Sequence, residues 1–486
     1  MKIPELVASS TVAIDAYTGE AAATGRFAAD YRAWALATPK YGQPTMRPDP
    51  PHPANWQDPR VGWGLILPEP PGLTAEQLAG AGDAPEPVQA LVAARHGKVL
   101  RYRAGAKFAD WTLRDYGGSG DLLTAASPLG SGPRELPKYL LIYAAPVDVP
   151  WHVQFALNPV RCAGRLDLVG DALANYVTAL MGGWPDAGAA YSSPVVWAVN
   201  HGAGDITALM RDSVASPIFT ALSADKEMTS ATFVDGSSQI ATMAALCDAL
   251  AANRPALVVT SSHGMTGPLT DVDAMRGSLG LLVDQTHGAI SPNDLLAHWQ
   301  PDGAIWFAQA CCSAGADSPS AYAGLFEPGT LLDETLTAIT KVGAMTSPLP
   351  RALLGAAKPL RAFIGHVEPT FDWTLSFPPN RQLLTSDLIT VIYTRLCSGQ
   401  PVGMALSAYY PAIGSLLQGY VAARTNYNAT IGAAAKQSLD MLVYSRVTSH
   451  DRASTVILGD PTAAIPLPES RSNPGQRVTS PLPPGE

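Results

Sequence analysis

The chain has 486 residues and 47% of them are hydrophobic, enough for a large core, which excludes global disorder. Its net charge of −9 is mild for that length, and no basic patch points to a nucleic-acid partner. Five cysteines without a CxxC pair suggest neither a disulfide framework nor a zinc site, so no metal or other cofactor is expected.

Residues 1–135 form an irregular N-terminal region to which no chemistry is assigned. Residues 41–71 are rich in Pro, Trp and Asp, residues 74–95 read as one or two helices, and the Gly/Pro clusters at 117–120 and 128–133 are loop signals. An α/β pattern begins at Pro137. Strands are predicted over 139–144, 195–200, 280–283, 342–345, 361–365 and 456–458, together with the apolar runs that begin at Ala256 and Ala304. Between them lie helices predicted over 172–181, 205–214, 237–252, 291–299, 331–339, 386–397, 402–417 and 433–444. Strands alternating with helices imply a mostly parallel sheet covered on both faces. The polar, Pro/Ser/Gly-rich tail over 468–486 is expected to be disordered. Met1-Lys2-Ile3-Pro4-Glu5 begins no signal peptide, and no run reaches the ~18 apolar residues of a membrane span. A reducing, cytoplasmic compartment without membrane insertion is therefore the expectation, and it suits a free thiol.

Two runs carry the chemistry. One is Ala256-Leu257-Val258-Val259-Thr260, followed by Ser261-Ser262-His263-Gly264. The other is Ala304-Ile305-Trp306-Phe307-Ala308, followed by Gln309-Ala310-Cys311-Cys312-Ser313-Ala314-Gly315. Each has the length of a buried parallel strand, and chemistry in an open α/β sheet is done at the carboxyl ends of its strands. Adjacent strands ending this way would bring an imidazole beside a thiol. The imidazole would take the thiol proton, and the backbone N–H groups of Gly264 and Cys311 would receive the oxyanion of an acyl-transfer reaction. His-Gly alone carries little weight, since it also occurs at His96, His201 and His287; only His201 and His263 directly follow an apolar strand, and only His263 leads into the cysteine motif. Cys311 and Cys312 point to opposite faces if the strand continues, and Cys311 is the expected nucleophile. Cys162, Cys247 and Cys397 read as core residues. No Gly-x-Ser-x-Gly elbow accompanies Ser261, Ser262 or Ser313, which argues against a serine hydrolase.

Gln309-Ala310-Cys311 matches the first three letters of the caspase signature, whose histidine lies about 50 residues upstream; here His263 lies 48 positions before Cys311. The Arg/Gln/Gly-then-Gly that follows in caspases is replaced by Cys312-Ser313. From about Pro137 to Pro466 the chain resembles the caspase-fold (clan CD) cysteine peptidases, in particular the gingipain-like and CHAT-type bacterial branch. The segments that carry the resemblance are Ser261-Ser262-His263-Gly264-Met265, Gly277 to Val283, Ala310 to Gly315, Arg361 to Val367 with its Ile364-Gly365-His366, and Leu458-Gly459-Asp460-Pro461. It implies two tandem caspase-like units, the first inactive: a non-catalytic half over 136–235 and a catalytic half over 236–467.

The resemblance also implies endopeptidase activity toward a protein substrate, with specificity set by a side-chain pocket. Members of this group act in bacterial defence, some by cleaving gasdermin-like pore formers. An acidic pocket residue would select Arg or Lys. Asp284 and Asp317 are candidates for it, and Arg351 and His366 for the lining of the cleft. The competing expectations are an inactive caspase-like scaffold used for assembly, and a thiol hydrolase acting on small esters or amides.

Overall fold

The computed structural model describes residues 50–118 and 120–468. The expected tail, from 469 onward, and the first 49 residues of the N-terminal region lie outside the described residues. Twelve strands build one sheet: β1 (Trp63–Pro68), β2 (Lys98–Tyr102), β3 (Thr112–Asp115), β4 (Gly120–Leu123), β5 (Tyr139–Tyr143), β6 (Cys162–Leu166), β7 (Val195–Ala198), β8 (Thr232–Asp235), β9 (Leu257–Ser261), β12 (Ile305–Gln309), β15 (Ala362–His366) and β18 (Thr455–Gly459). Three short antiparallel pairs accompany it: β10 (His263–Gly264) with β11 (Leu282–Val283), β13 (Gly315–Ala316) with β14 (Met345–Thr346), and β16 (Ser376–Phe377) with β17 (Gln382–Leu383).

Across the sheet the order is β4-β3-β2-β1-β5-β6-β18-β15-β12-β9-β7-β8. The block β2-β1-β5-β6 is parallel, and so is β8-β7-β9-β12-β15. Within each block the first four strands in chain order lie as second, first, third, fourth, so the topology repeats. β18 joins the blocks, antiparallel to β15 and parallel to β6. The two blocks therefore send their carboxyl ends to opposite edges of the sheet. At the ends of the third and fourth strands the second block carries the His263 and Cys311 motifs. The first block carries Ala144-Ala145 and Asp167-Leu168 there.

Both faces are covered, as the near-continuous apolar strands require. Trp306 and Ala308 of β12, Val258 of β9 and Phe363 of β15 face one core, which extends along the sheet to Trp63 and Leu65 of β1. Ile305, Phe307, Val259 and Ile364 face the other, roofed by Met210, Val214, Ile218 and Leu222 from residues 206–223 and by Val391 and Leu396. On that face the first block has its own cluster, with Ile66, Leu140 and Ile142. The expected fold class, an α/β protein with a mostly parallel sheet and helices on both faces, is the observed one. No helix among the described residues is long and apolar enough to cross a membrane.

Two expectations change in detail. Residues 63–123, read as irregular, supply β1–β4; Trp63-Gly64-Leu65-Ile66-Leu67 is a short apolar run hidden between Pro- and Asp-rich flanks. Within residues 136–235, β5 and β6 belong to the first parallel block, whereas β7 and β8 lie beside β9 in the second. The single helix expected over 402–417 is two, Val402–Leu406 and Pro411–Ala429, because Pro411 has no N–H to continue the first and is suited to open the second.

Candidate active site

β9 and β12 are neighbours, in register from Leu257 opposite Ile305 to Ser261 opposite Gln309. Beyond the ladder, the Ser262 N–H still donates to the Gln309 carbonyl at 3.2 Å. The two chains then part. His263 and Gly264 turn away to pair with Leu282 and Val283, while the other chain bends at Cys312, whose φ is +53°. The Cys312 N–H donates to the Glu368 carbonyl at 2.8 Å, and the Ser347 hydroxyl donates to the Cys312 carbonyl at 2.5 Å; these bonds hold the left-handed turn. Gly264 lies directly against Cys311: a Cβ at 264 would overlap the Cys311 carbonyl oxygen and stand 3.0 Å from its nitrogen. Only glycine allows this approach, which continues the contact between the two motifs beyond the Ser262–Gln309 hydrogen bond. Cys312 is fully buried, in a small cluster with Met275, Leu279 and Ile339.

Cys311 is partly open and the other four cysteines are buried. Burial pushes the Cys311 thiol up to about 11; the backbone of Thr370, of Cys311 itself and of Gly264 pulls it down, and the Asp451 charge adds to the rise. The sulfur donates to the Thr370 carbonyl at 3.4 Å, so the resting thiol is neutral and hydrogen-bonded away from the imidazole.

His263 is held by a carboxylate. Its Nε2 lies 2.9 Å from Asp205 Oδ2 and 3.1 Å from Oδ1. Nε2–H donating to Asp205 leaves Nδ1 as the proton acceptor. Asp205 caps the helix Ile206–Met210 by accepting the Thr207 N–H at 2.8 Å, and it also takes the Thr207 hydroxyl. Burial alone would raise its pKa, but the Thr207 hydroxyl and amide and the His263 ring outweigh this and hold it at about 2. Sequence reasoning treated Asp205 only as the start of a helix. The available signal was its place just beyond β7, the strand beside β9.

Of the four pocket candidates, Asp284 and His366 are buried. Asp284 is buried and fully engaged: it accepts the N–H groups of Met243 at 2.9 Å, Thr286 at 2.8 Å and Gly288 at 3.0 Å, and the Thr286 hydroxyl at 2.7 Å. His366 is 2% exposed, its Nε2 3.4 Å from Gln309 Oε1 and its Nδ1 3.9 Å from Asp451, so it lies in the interior and not along a cleft. Arg351 donates to the Asp167 carbonyl beyond β6, whose carboxyl end faces the opposite sheet edge from that of β12. Asp317 is half-buried and accepts the Ser318 N–H at 2.8 Å. Burial raises its pKa, and the Glu368 charge adds to this against Ser318, His152 and His450. No group of three or more His, Cys, Asp or Glu among the described residues is placed to hold a metal ion.

No protein-family model matches the chain, and no curated protein matches it. Among solved structures, it is similar to the complex of Porphyromonas gingivalis RgpB pro- and mature domains, at 11% identity and a TM-score of 0.41, over 83% of this chain and 79% of that one.

Proposed function

We propose that the protein is a cysteine endopeptidase in which Cys311 is the nucleophile, His263 the general base and acid, and Asp205 the group that orients His263. The observation that carries the reading is the seating of Gly264 on the Cys311 backbone, at the ends of two adjacent strands, with His263 already bonded to Asp205. When a substrate carbonyl enters, the sulfur turns from Thr370 and forms the S–C bond while its proton passes to His263 Nδ1. The oxyanion takes the N–H groups of Gly264 and Cys311, two of the backbone groups that already favour negative charge at the sulfur. His263 then returns the proton to the leaving amine, which departs as the C–N bond breaks. Water, deprotonated by the same ring, cleaves the thioester and restores the thiol.

The substrate class is protein. The motif resemblance to gingipain-like and CHAT-type peptidases supports a role in bacterial defence, with a gasdermin-like pore former as the kind of substrate to be activated, in a cytoplasmic setting. The reading of the first block as inactive is supported by the carboxyl ends of β5 and β6, where Ala144-Ala145 and Asp167-Leu168 carry neither thiol nor imidazole. One observation favours the alternative of an inactive scaffold: the neutral thiol hydrogen-bonded to Thr370 and not to the imidazole. Incubation with peptide libraries separates the two. Cleavage that disappears in Cys311→Ala and His263→Ala supports the peptidase; equal peptide profiles with and without the wild-type protein would favour the scaffold.

A further inference from the structure

Three of the four His-Gly dipeptides converge on one place. His201 follows β7, His263 follows β9, and His287 lies in the turn after β11. The His201 ring stacks on His263 with centroids 5.7 Å apart and planes 24° apart. Its other neighbour is His287, with centroids 4.5 Å and planes 7° apart. The arrangement is built in from three sides. The His201 N–H donates to the Thr207 hydroxyl at 3.0 Å, and that hydroxyl donates to Asp205, so one carboxylate ties both His263 and the backbone of His201. His287 takes a left-handed φ of +64° in a turn organised by Asp284, which accepts the Thr286 and Gly288 amides. The buried Asp284 thus acts on the site by building the turn that carries the third ring.

We infer that His201 is a positioning residue for His263: as a neutral ring backed by His287, it fixes the plane of the His263 imidazole against Asp205, and its protonation dismantles the stack. The inference rests on the reading of His263 as the catalytic base. The groups that face His201 are His263 and His287 as possible cations, and Asp205 and Asp284 as anions. His263 has the Asp205 carboxylate on its Nε2, whereas His201 Nε2 is buried with no hydrogen-bond partner. A charge on His201 would be desolvated and would sit between two rings that can themselves be cationic. Burial first, and then His287 and His263, lower its pKa below the ordinary histidine value against the pull of Asp205 and Asp284. His201 therefore stays neutral at neutral pH and charges only as the medium turns acidic. When it does, the face that held His263 becomes repulsive.

The test uses the full chain and the rate of Cys311 alkylation by iodoacetamide between pH 5 and 8, which requires no known substrate. His201→Phe keeps a flat ring in the stack but cannot titrate; His201→Ala removes the ring. At pH 7.5, His201→Ala is expected to slow alkylation roughly ten- to a hundredfold, the effect of a misplaced catalytic group, while His201→Phe stays within about twofold of wild type. On the acid side the wild-type rate should fall more steeply than that of His201→Phe, which has lost one titratable ring. His201→Ala reacting as fast as wild type would overturn the inference, as would His201→Phe reacting as slowly as His201→Ala, or an acid limb unchanged in His201→Phe. His263→Ala distinguishes the levels. If it is slow while His201→Ala is not, only this inference fails; if His263→Ala is as fast as wild type, the peptidase reading fails with it.

Discussion

Asp205→Asn isolates the orienting carboxylate from the fold. Asparagine caps a helix about as well as aspartate, and its Oδ1 can still accept the Thr207 amide that Asp205 accepts now. What changes is the group offered to His263 Nε2: an N–H donor replaces a carboxylate oxygen at 2.9 Å. The ring must then accept at Nε2 and carry its proton on Nδ1, the wrong tautomer for a base. A hydrogen bond to a charged group contributes ~1.5–3 kcal/mol. About a third of each side chain is exposed, at 37% for His263 and 32% for Asp205, which puts the value in the lower half of that range. At ~1.4 kcal/mol per factor of ten, the expected loss is roughly ten- to fortyfold in the rate of Cys311 alkylation and in kcat/KM on any peptide the library yields. Thermal unfolding of the variant should match wild type. Unchanged rates in a normally folded Asp205→Asn would refute the orienting role.

Native protein treated with iodoacetamide should gain one adduct per chain by mass spectrometry, at Cys311, and the fully unfolded chain five, because the other four thiols are buried; a native adduct on Cys312 would contradict the turn at that residue. Gly264→Ala places a methyl group on the Cys311 carbonyl; an overpacking cost of about 1–3 kcal/mol in urea unfolding and loss of Cys311 labelling are expected together, and a variant with wild-type stability and labelling would show that the strands part further than described. Asp284→Ala leaves the Met243, Thr286 and Gly288 amides without an acceptor. It should lower stability by about 1–3 kcal/mol without changing any preference for Arg or Lys substrates; a lost preference would return Asp284 to the specificity pocket. Asp235 is held at about 2, chiefly by the Arg211 guanidinium bonded to it. A carboxylate depressed on folding contributes stability that is complete above its ordinary pKa and lost as pH falls through the folded value. Asp235→Asn should therefore flatten the stability loss between about pH 4 and pH 2, measured by urea unfolding; an unaltered slope would contradict the pairing.

The strands that carry the chemistry were legible because they are buried on both faces, which leaves uninterrupted apolar runs such as Leu257-Val258-Val259 and Ile305-Trp306-Phe307. The pairing of the two motifs was legible because two such runs end in an imidazole and a thiol; that glycine at 264 is demanded by the Cys311 backbone, and Gly315 by Met345 and Trp151, emerges only in the structure. The partner of His263 was not legible. Asp205 is 58 positions away, and the order that sets β7 beside β9 decides the contact. Asp284 misled for a related reason. Its position after a strand suggested an open carboxylate, but its oxygens are taken by the turn that follows it and by Met243, 41 positions earlier. The strands of residues 63–123 were hidden because β1 lies between Pro- and Asp-rich flanks, and because β3 and β4 form an edge hairpin whose alternation includes exposed positions.

The most direct test of the account is a single comparison at pH 7.5: the rate at which iodoacetamide alkylates residue 311 in the wild-type chain and in His263→Ala, each confirmed as folded. An imidazole that serves this thiol predicts a fall of tenfold or more in the variant, within the range of general base catalysis. Equal rates would mean that the two side chains do not act together, and the proposed peptidase mechanism would go with them.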